Sequence, residues 1–402
     1  MLTSLKSFSL LTAIAVFSAC GEAPQVNYLE NAPVVATRTL IDGEELIEMD
    51  PALLKDTVFF PISHFTEDLH IIKLGEGDEA LTGADAALVS DNYILTIGSG
   101  NIPYKLFDKQ GHYLNDIGAV GQGPGEYRFI YTARIDEENR RIYMMPFFAS
   151  SLLVYDLEGN SLPSVPLVHK GVIAMFVVQE NKLVVMASPQ PQLSSCVWVQ
   201  DMAGNLLYDI PTSFDFDFRN TMIAVSLNEE DHIDLSYWTH QPRVDSLYYV
   251  DLEKKKLIPR FTTRFKGDAL KQHMYMEWPG YYLGDTSTLS QVSTTDDDGN
   301  VLQRQEGEAP DYYIVDKKTL KGAYIVLIND FFGGERFESP LVFQYQSYSV
   351  CVDPGVLTEW IGQALKSGQL SDKMRKKLIE VQANMSENDN NYLLYAKLKK
   401  PN

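Results

Sequence analysis

Leu106-Phe107-Asp108-Lys109-Gln110-Gly111, Val154-Tyr155-Asp156-Leu157-Glu158-Gly159 and Val199-Gln200-Asp201-Met202-Ala203-Gly204 are three copies of one phrase. The first two set an apolar or aromatic pair before Asp and the third sets Val199-Gln200 there, and in each a turn closed by Gly follows. Asp bonds its own downstream backbone, and Gly accepts the positive φ of a tight turn, so the phrase predicts a hairpin. Weaker copies without the glycine follow at Tyr249-Val250-Asp251 and Ile314-Val315-Asp316. The aspartates therefore recur every 45 to 50 residues, with a last, longer step that the reading assigns to an insertion near residues 266–280.

Working outward, the flanking segments run or alternate apolar over five to seven positions and are rich in Val, Ile, Tyr and Phe, as strands are. The first unit reads as His70–Leu74, Tyr93–Ile97, Tyr104–Phe107 and Tyr113–Ile117. The second reads as Tyr131–Ile135, Arg141–Met145, Leu152–Tyr155 and Ser164–Leu167. Further units span Val172–Ile210, Met222–Phe261 and Tyr281–Leu327. Leu341–Val352 and Tyr392–Leu398 fall short of a sixth unit, which an N-terminal strand at Glu45–Met49 or Thr57–Phe60 would complete. Four strands per repeat, about six times over, predict an all-β fold, a six-bladed β-propeller of four-stranded antiparallel blades. Pairing the two chain ends leaves no blade with an open edge.

One stretch departs from the β pattern. Leu357, Trp360, Ile361, Ala364 and Leu365 are spaced as on a helix, and Ser371 caps a second stripe of Met374, Leu378, Val381 and Met385. This is a small helical insertion over about 355–386, read as packing on the propeller's flank, with a partner-binding helix as the alternative.

The N-terminus carries Lys6, a short apolar run and Phe17-Ser18-Ala19-Cys20, the layout of an export signal. It resembles the lipobox of bacterial lipoproteins, with Phe17 where Leu is usual. That resemblance implies cleavage before Cys20, lipidation of its thiol and a membrane anchor. The organisation expected is a signal over 1–19, a tether over 20–43 and the propeller over 44–399.

A second resemblance lies in Ile117-Gly118-Ala119-Val120-Gly121-Gln122-Gly123-Pro124-Gly125-Glu126-Tyr127. This stretch resembles the signature of the six-bladed β-propeller lipoproteins common in Bacteroidetes, relatives of the NHL-repeat propellers. Glu387 to Leu394, followed by Lys397 and Lys399, resembles that family's closing strand, with Asn391 where Pro is frequent. The resemblance implies fold and envelope location and supplies no catalytic residue. Read physically, Gly121, Gln122, Gly123, Pro124 and Gly125 permit sharp turns between blades, with Glu126 placed to bond amides. The alternative is a phosphate cradle, which lacks the Lys-Ser/Thr of a P-loop.

Chemistry is sparse. Lys plus Arg total 34 against 54 for Asp plus Glu, a net charge of −20 that repels phosphate backbones, so nucleic acid is not an expected partner. The seven histidines form no His-Glu-x-x-His, and no Cys-x-x-Cys occurs, so no metal or cofactor is expected. Histidines converging in the central channel are the alternative. Asp296-Asp297-Asp298-Gly299-Asn300 departs from a calcium loop at positions six and twelve and reads as an acidic turn. Phe214-Asp215-Phe216-Asp217-Phe218 alternates like a half-buried strand or an ordered loop, with paired catalytic carboxylates as the weaker reading. Cys196 and Cys351 sit in apolar runs as buried thiols. The expected function is an exported, lipid-anchored binding or scaffold module for an envelope protein or glycan. The alternatives are a hydrolase or lyase acting in the channel and an accessory subunit of an outer-membrane uptake complex.

Overall fold

The repeated phrase folds as a hairpin in every copy. Asp108 Oδ1 accepts from the amides of Gln110 and His112, both at 2.9 Å, and Asp201 Oδ1 accepts from Ala203 (2.9 Å) and Asn205 (2.8 Å). Asp156 Oδ1 accepts from the Asn160 amide at 2.8 Å. The residue four after each Asp returns a side-chain bond: His112 Nδ1, Asn160 Nδ2 and Asn205 Nδ2 lie 2.8–3.0 Å from the second carboxylate oxygen. The glycines at 111, 159 and 204 have φ of +92°, +84° and +87°, conformations that L side chains rarely adopt.

The computed structural model describes residues 26–400 apart from 99, 213–220, 228–231, 240–244, 266–270, 288, 296–300, 308–310, 337–342 and 345–346. Cys20 with the export signal, Phe214–Phe218, His240 and Asp296–Asn300 lie outside the described residues. The chain builds a six-bladed β-propeller of four-stranded antiparallel blades. Blade 1 contains Ala87–Val89, Tyr93–Thr96, Tyr104–Asp108 and Tyr113–Ile117; blade 2 runs from Ile130 to Pro166, and blade 3 from Ala174 to Ile210. Blade 4 runs from Thr221 to Thr263 and blade 5 from Gln272 to Asn329.

Blade 6 closes the ring and corrects the expected strand assignment. Its strands are Phe343–Gln344, Ser347–Val352, Tyr392–Lys397 and His70–Lys73, so the chain ends do pair, Tyr395 opposite His70 and Tyr392 opposite Lys73. The closing N-terminal strand is thus His70–Lys73, read above as the first strand of blade 1, where Ala87–Val89 stands instead. Glu44–Met49 and Thr57–Pro61 add in parallel to the outer strands of blades 4 and 5. Ala36–Ile41 pairs with Glu44–Met49, and Leu29 and Val35 are buried, so this part of the stretch expected as a tether over 20–43 belongs to the folded body. The long step between Asp251 and Asp316 comes from a two-stranded hairpin, Leu289–Thr295 with Val301–Gly307, inserted in blade 5. Residues 272–278 are that blade's own first strand.

Apolar side chains gather in six seams, one between each pair of neighbouring blades. Val184, Met186 and Val199 of blade 3 meet Ile233, Leu235 and Tyr237 of blade 4. The helices Pro354–Ser367 and Asp372–Asn384 are capped by Asp353 and Ser371. They bury Leu357, Ile361, Ala364, Met374 and Leu378 in the seam between blades 5 and 6. Their apolar stripe is therefore used within the fold. No described helix is long and apolar enough to cross a membrane.

Candidate functional site

Antiparallel blades place the first-to-second and third-to-fourth connections on one face of the ring. The second-to-third and blade-to-blade connections lie on the other. The Asp turns occupy the first face. The second carries the helical pair, the blade 5 hairpin, the Gly121–Glu126 loop and the Phe147-Phe148 loop, so the longest connections share one side. Function concentrates on loops held by a rigid scaffold.

The Gly121–Glu126 loop crosses from blade 1 to blade 2. Ala119–Val120 pairs in parallel with Glu126–Tyr127, and the Gly121 amide donates to Tyr127 O at 2.9 Å. The Gly123 amide donates to Glu126 Oε2 at 2.7 Å, so the loop's own carboxylate fills the place a phosphate would take. A Cβ on Gly125, where φ is +74°, would stand 2.6 Å from Ser161 Oγ, and the Gly125 carbonyl accepts from Tyr155 OH at 3.0 Å. Gln122 and Pro124 are exposed. Tyr127, which follows the loop, is buried; its hydroxyl donates to Ile117 O (2.7 Å) and accepts from the Tyr104 amide (2.9 Å).

At the channel mouth lies a cluster that the sequence reading did not single out. Phe129 is 63% exposed, Phe148 61% and Phe147 39%. Phe147 packs edge-on against Phe129 (5.6 Å between centroids, 86°) and Phe148 (4.6 Å, 72°). Tyr131, on the innermost strand of blade 2, lies 5.9 Å from Phe147 and reaches the Ile223 backbone on the innermost strand of blade 4. Phe148 has φ +55°, a conformation costly for a bulky side chain. The loop is held there: the Phe147 amide donates to Phe129 O (3.1 Å), and Ala149 exchanges bonds with Val172. Exposed Arg128 and Lys170 flank these segments in the sequence. The one available signal was the pair Phe147-Phe148 between two strands, which composition does not separate from core aromatics.

A second unforeseen feature is a carboxyl pair between blades 4 and 5. Asp234 is 2% exposed, and burial first, then the Glu277 charge, pushes its carboxyl well above the ordinary value. Glu277 in turn pairs with Lys317, whose ammonium lies over the Tyr282 ring at 5.1 Å. Depth makes this pair a structural element, since nothing reaches Asp234 from solvent.

The described histidines are dispersed. His64 sits among Tyr28, Phe60, Phe65 and Tyr281, with Nε2 3.1 Å from Tyr281 OH, and burial lowers its pKa to about 4. His169 packs on Trp198, His232 on Tyr249 and His273 on Phe265. Among the described residues no three His, Cys, Asp or Glu side chains are placed to hold a metal ion. Cys196 and Cys351 are free and buried, and burial pushes their thiols up to about 11 and about 12. Both are inert as nucleophiles at neutral pH.

The family described as a domain of unknown function, DUF4934, matches residues 45–397, and the chain belongs to that family. No curated protein matches the sequence. A Bacteroides fragilis NCTC 9343 protein described as exported is similar in structure, with 16% identity, a TM-score of 0.52, and coverage of 83% of this chain and 95% of that one. A DUF4221 member from Bacteroides vulgatus ATCC 8482 is 9% identical, with a TM-score of 0.45 and coverage of 83% and 97%. At such identity the likeness to the first is one of fold.

Proposed function

We propose that this protein is an exported, lipid-anchored propeller that holds a protein partner of the cell envelope on its loop-rich face. The observation that carries the reading is the exposed cluster of Phe129, Phe147 and Phe148 at the channel mouth. Large rigid aromatics with few rotatable bonds are the side chains that anchor interfaces once desolvated. Their edge-to-face packing offers clefts for apolar side chains. With the rings edge-on to one another, the cluster does not present the one flat face on which a sugar ring would stack. Exposed Arg128, next to Phe129 in the chain, and exposed Lys170, next to Gly171 whose amide bonds Ala149 O, favour a segment with acidic residues next to its apolar anchor. The Gly121–Glu126 loop serves in this reading as a brace between blades 1 and 2, and Cys20 as the anchor.

The test places a photoreactive phenylalanine analogue at Phe148 in intact cells. One discrete adduct is expected, lost in Phe129→Ser and Phe147→Ser. The captured protein, once purified, binds at least about tenfold more weakly to Phe147→Ser, the scale of a lost aromatic anchor. A diffuse smear, or an adduct indifferent to both substitutions, refutes the mouth as the docking site. In the same cells Cys20→Ala should move the protein out of the membrane fraction; unchanged fractionation refutes the anchor.

A further inference from the structure

The seam between blades 4 and 5 opens on the loop-rich face into a cavity of about 240 Å³, lined in part by Asp50, Ala52, Arg264, Phe265, Lys271 and Tyr324. The N-terminal chain creates it. After adding Glu44–Met49 to blade 4, the chain crosses to blade 5 through the turn Pro51–Leu53, before Thr57–Pro61 adds there. Asp50 Oδ1 fixes this strap by accepting from the Ala52 amide at 3.0 Å. The strap forms a wall of the cavity.

The walls are built from side chains whose positions are determined by other contacts. His273, 4% exposed, lies between Phe265 (5.3 Å, 30°) and Tyr275 (4.9 Å, 34°), and its Nδ1 is 3.0 Å from Lys271 O. One buried ring thus positions both the Phe265 face and the Lys271 backbone. Beneath them, Thr263 donates its amide to Tyr275 OH (3.1 Å), and its hydroxyl meets Tyr313 OH at 2.9 Å. The charges are not balanced in the same way. Glu48 is taken up by Arg264, through Nε at 2.8 Å and a second guanidinium nitrogen. Asp50 acts on Arg264 as well, whereas Lys271, which shares the lining with Phe265 and Tyr324, makes no ion pair among the described residues.

We propose that this cavity binds a small carboxylate with a flat apolar body. Its carboxylate meets Lys271 and the Arg264 N–H groups not used by Glu48, and its body lies between Phe265 and Tyr324. A charge-assisted bond fixes the acid group, and the aromatic walls supply the apolar contact. The site is separate from the Phe129–Phe148 cluster and does not rest on the partner proposed for it.

Benzoate is the probe and benzyl alcohol its neutral counterpart, both followed by saturation-transfer NMR on the intact chain with calorimetry for affinity. Benzoate is expected to receive saturation and to bind at least about tenfold more tightly than benzyl alcohol. Lys271→Met should remove that preference, and Ala52→Trp, at the exposed strap, should block both ligands with the melting transition retained. Phe148→Ser should leave benzoate binding unchanged. Equal affinity for the two probes, undiminished benzoate binding by Lys271→Met, or no saturation transfer to benzoate would overturn the proposal.

Discussion

Blades 1–3 and blades 4–5 solve the same problem, locking one blade to the next, by different means. In the first group the turn glycine is pressed against the outer strand of the preceding blade. A Cβ on Gly111 would stand 2.1 Å from Lys73 O, one on Gly159 2.1 Å from Asp116 O, and one on Gly204 2.9 Å from Pro166 O. In the second group the turn is one residue longer and ends on Lys255 and Leu320, with φ of +53° and +58°. There side chains and the N-terminal segment make the link. Tyr208 OH donates to Leu252 O at 3.2 Å, Lys255 lies over the Tyr208 ring at 4.5 Å, and the Val35 amide donates to Leu320 O at 2.9 Å. Backbone-to-backbone approach requires glycine; a link through side chains or an added strand does not.

The sharpest break in this comparison is Gly159→Ala. Positive φ and the approach to Asp116 O act together, so a loss of about 2–4 kcal/mol is expected from denaturant unfolding. A loss no larger than that of Lys255→Ala would remove the distinction.

Carboxyls separate the two regions by the sign of their pH response. The Asn205 side chain holds Asp201 below its ordinary 3.8. For Asp108 and Asp156 burial acts upward, but the bonds from His112 and Asn160 outweigh it. Folded-state values below the unfolded one give stability that is present above about pH 4 and lost on acidification. Asp234, at the blade 4–5 seam, is raised instead, by burial and by Glu277. Its contribution is present at acid pH and lost as pH rises through the raised value. Asp234→Asn should therefore raise the melting temperature near pH 8, with the gain shrinking towards pH 4. A gain independent of pH would show that Asp234 does not titrate in the folded chain.

The smallest effect is expected from Lys255→Gly. Relief of the left-handed conformation and the added freedom of the unfolded chain oppose each other, so the change should stay within about 1 kcal/mol. A larger loss, by the same unfolding measurement, would mean that the Lys255 contact with Tyr208 carries the link.

Much of the fold was legible because its defining interactions are short-range. Asp108, Asp156 and Asp201 bond amides two to four residues on, and the glycine follows at a fixed offset. The helical pair was readable for the same reason, through Asp353 and Ser371 as caps and a stripe at helical spacing. Errors arose where a strand's apolar pattern does not name its neighbour. His70–Lys73 looks like any first strand, and Ala87–Val89 is too short to show a period. The inserted hairpin and Gln272–Trp278 were confused because both lie within the one long step between Asp251 and Asp316. The site was less legible still, since nothing local separates the exposed Phe129, Phe147 and Phe148 from the aromatics that fill the seams.

By itself the sequence determined the hairpins, their number and the need for both chain ends to close the ring, because turn bonding and strand periodicity act over a few residues. Tertiary structure alone decided that His70–Lys73 seals the last blade against Tyr392–Lys397, and that Glu44–Pro61 straps blades 4 and 5 together. It also decided which aromatics stay in water and which carboxyl burial pushes above its ordinary pKa. Those outcomes depend on which surfaces are left uncovered when six seams are packed at once, and burial of that kind is a property of the assembled ring.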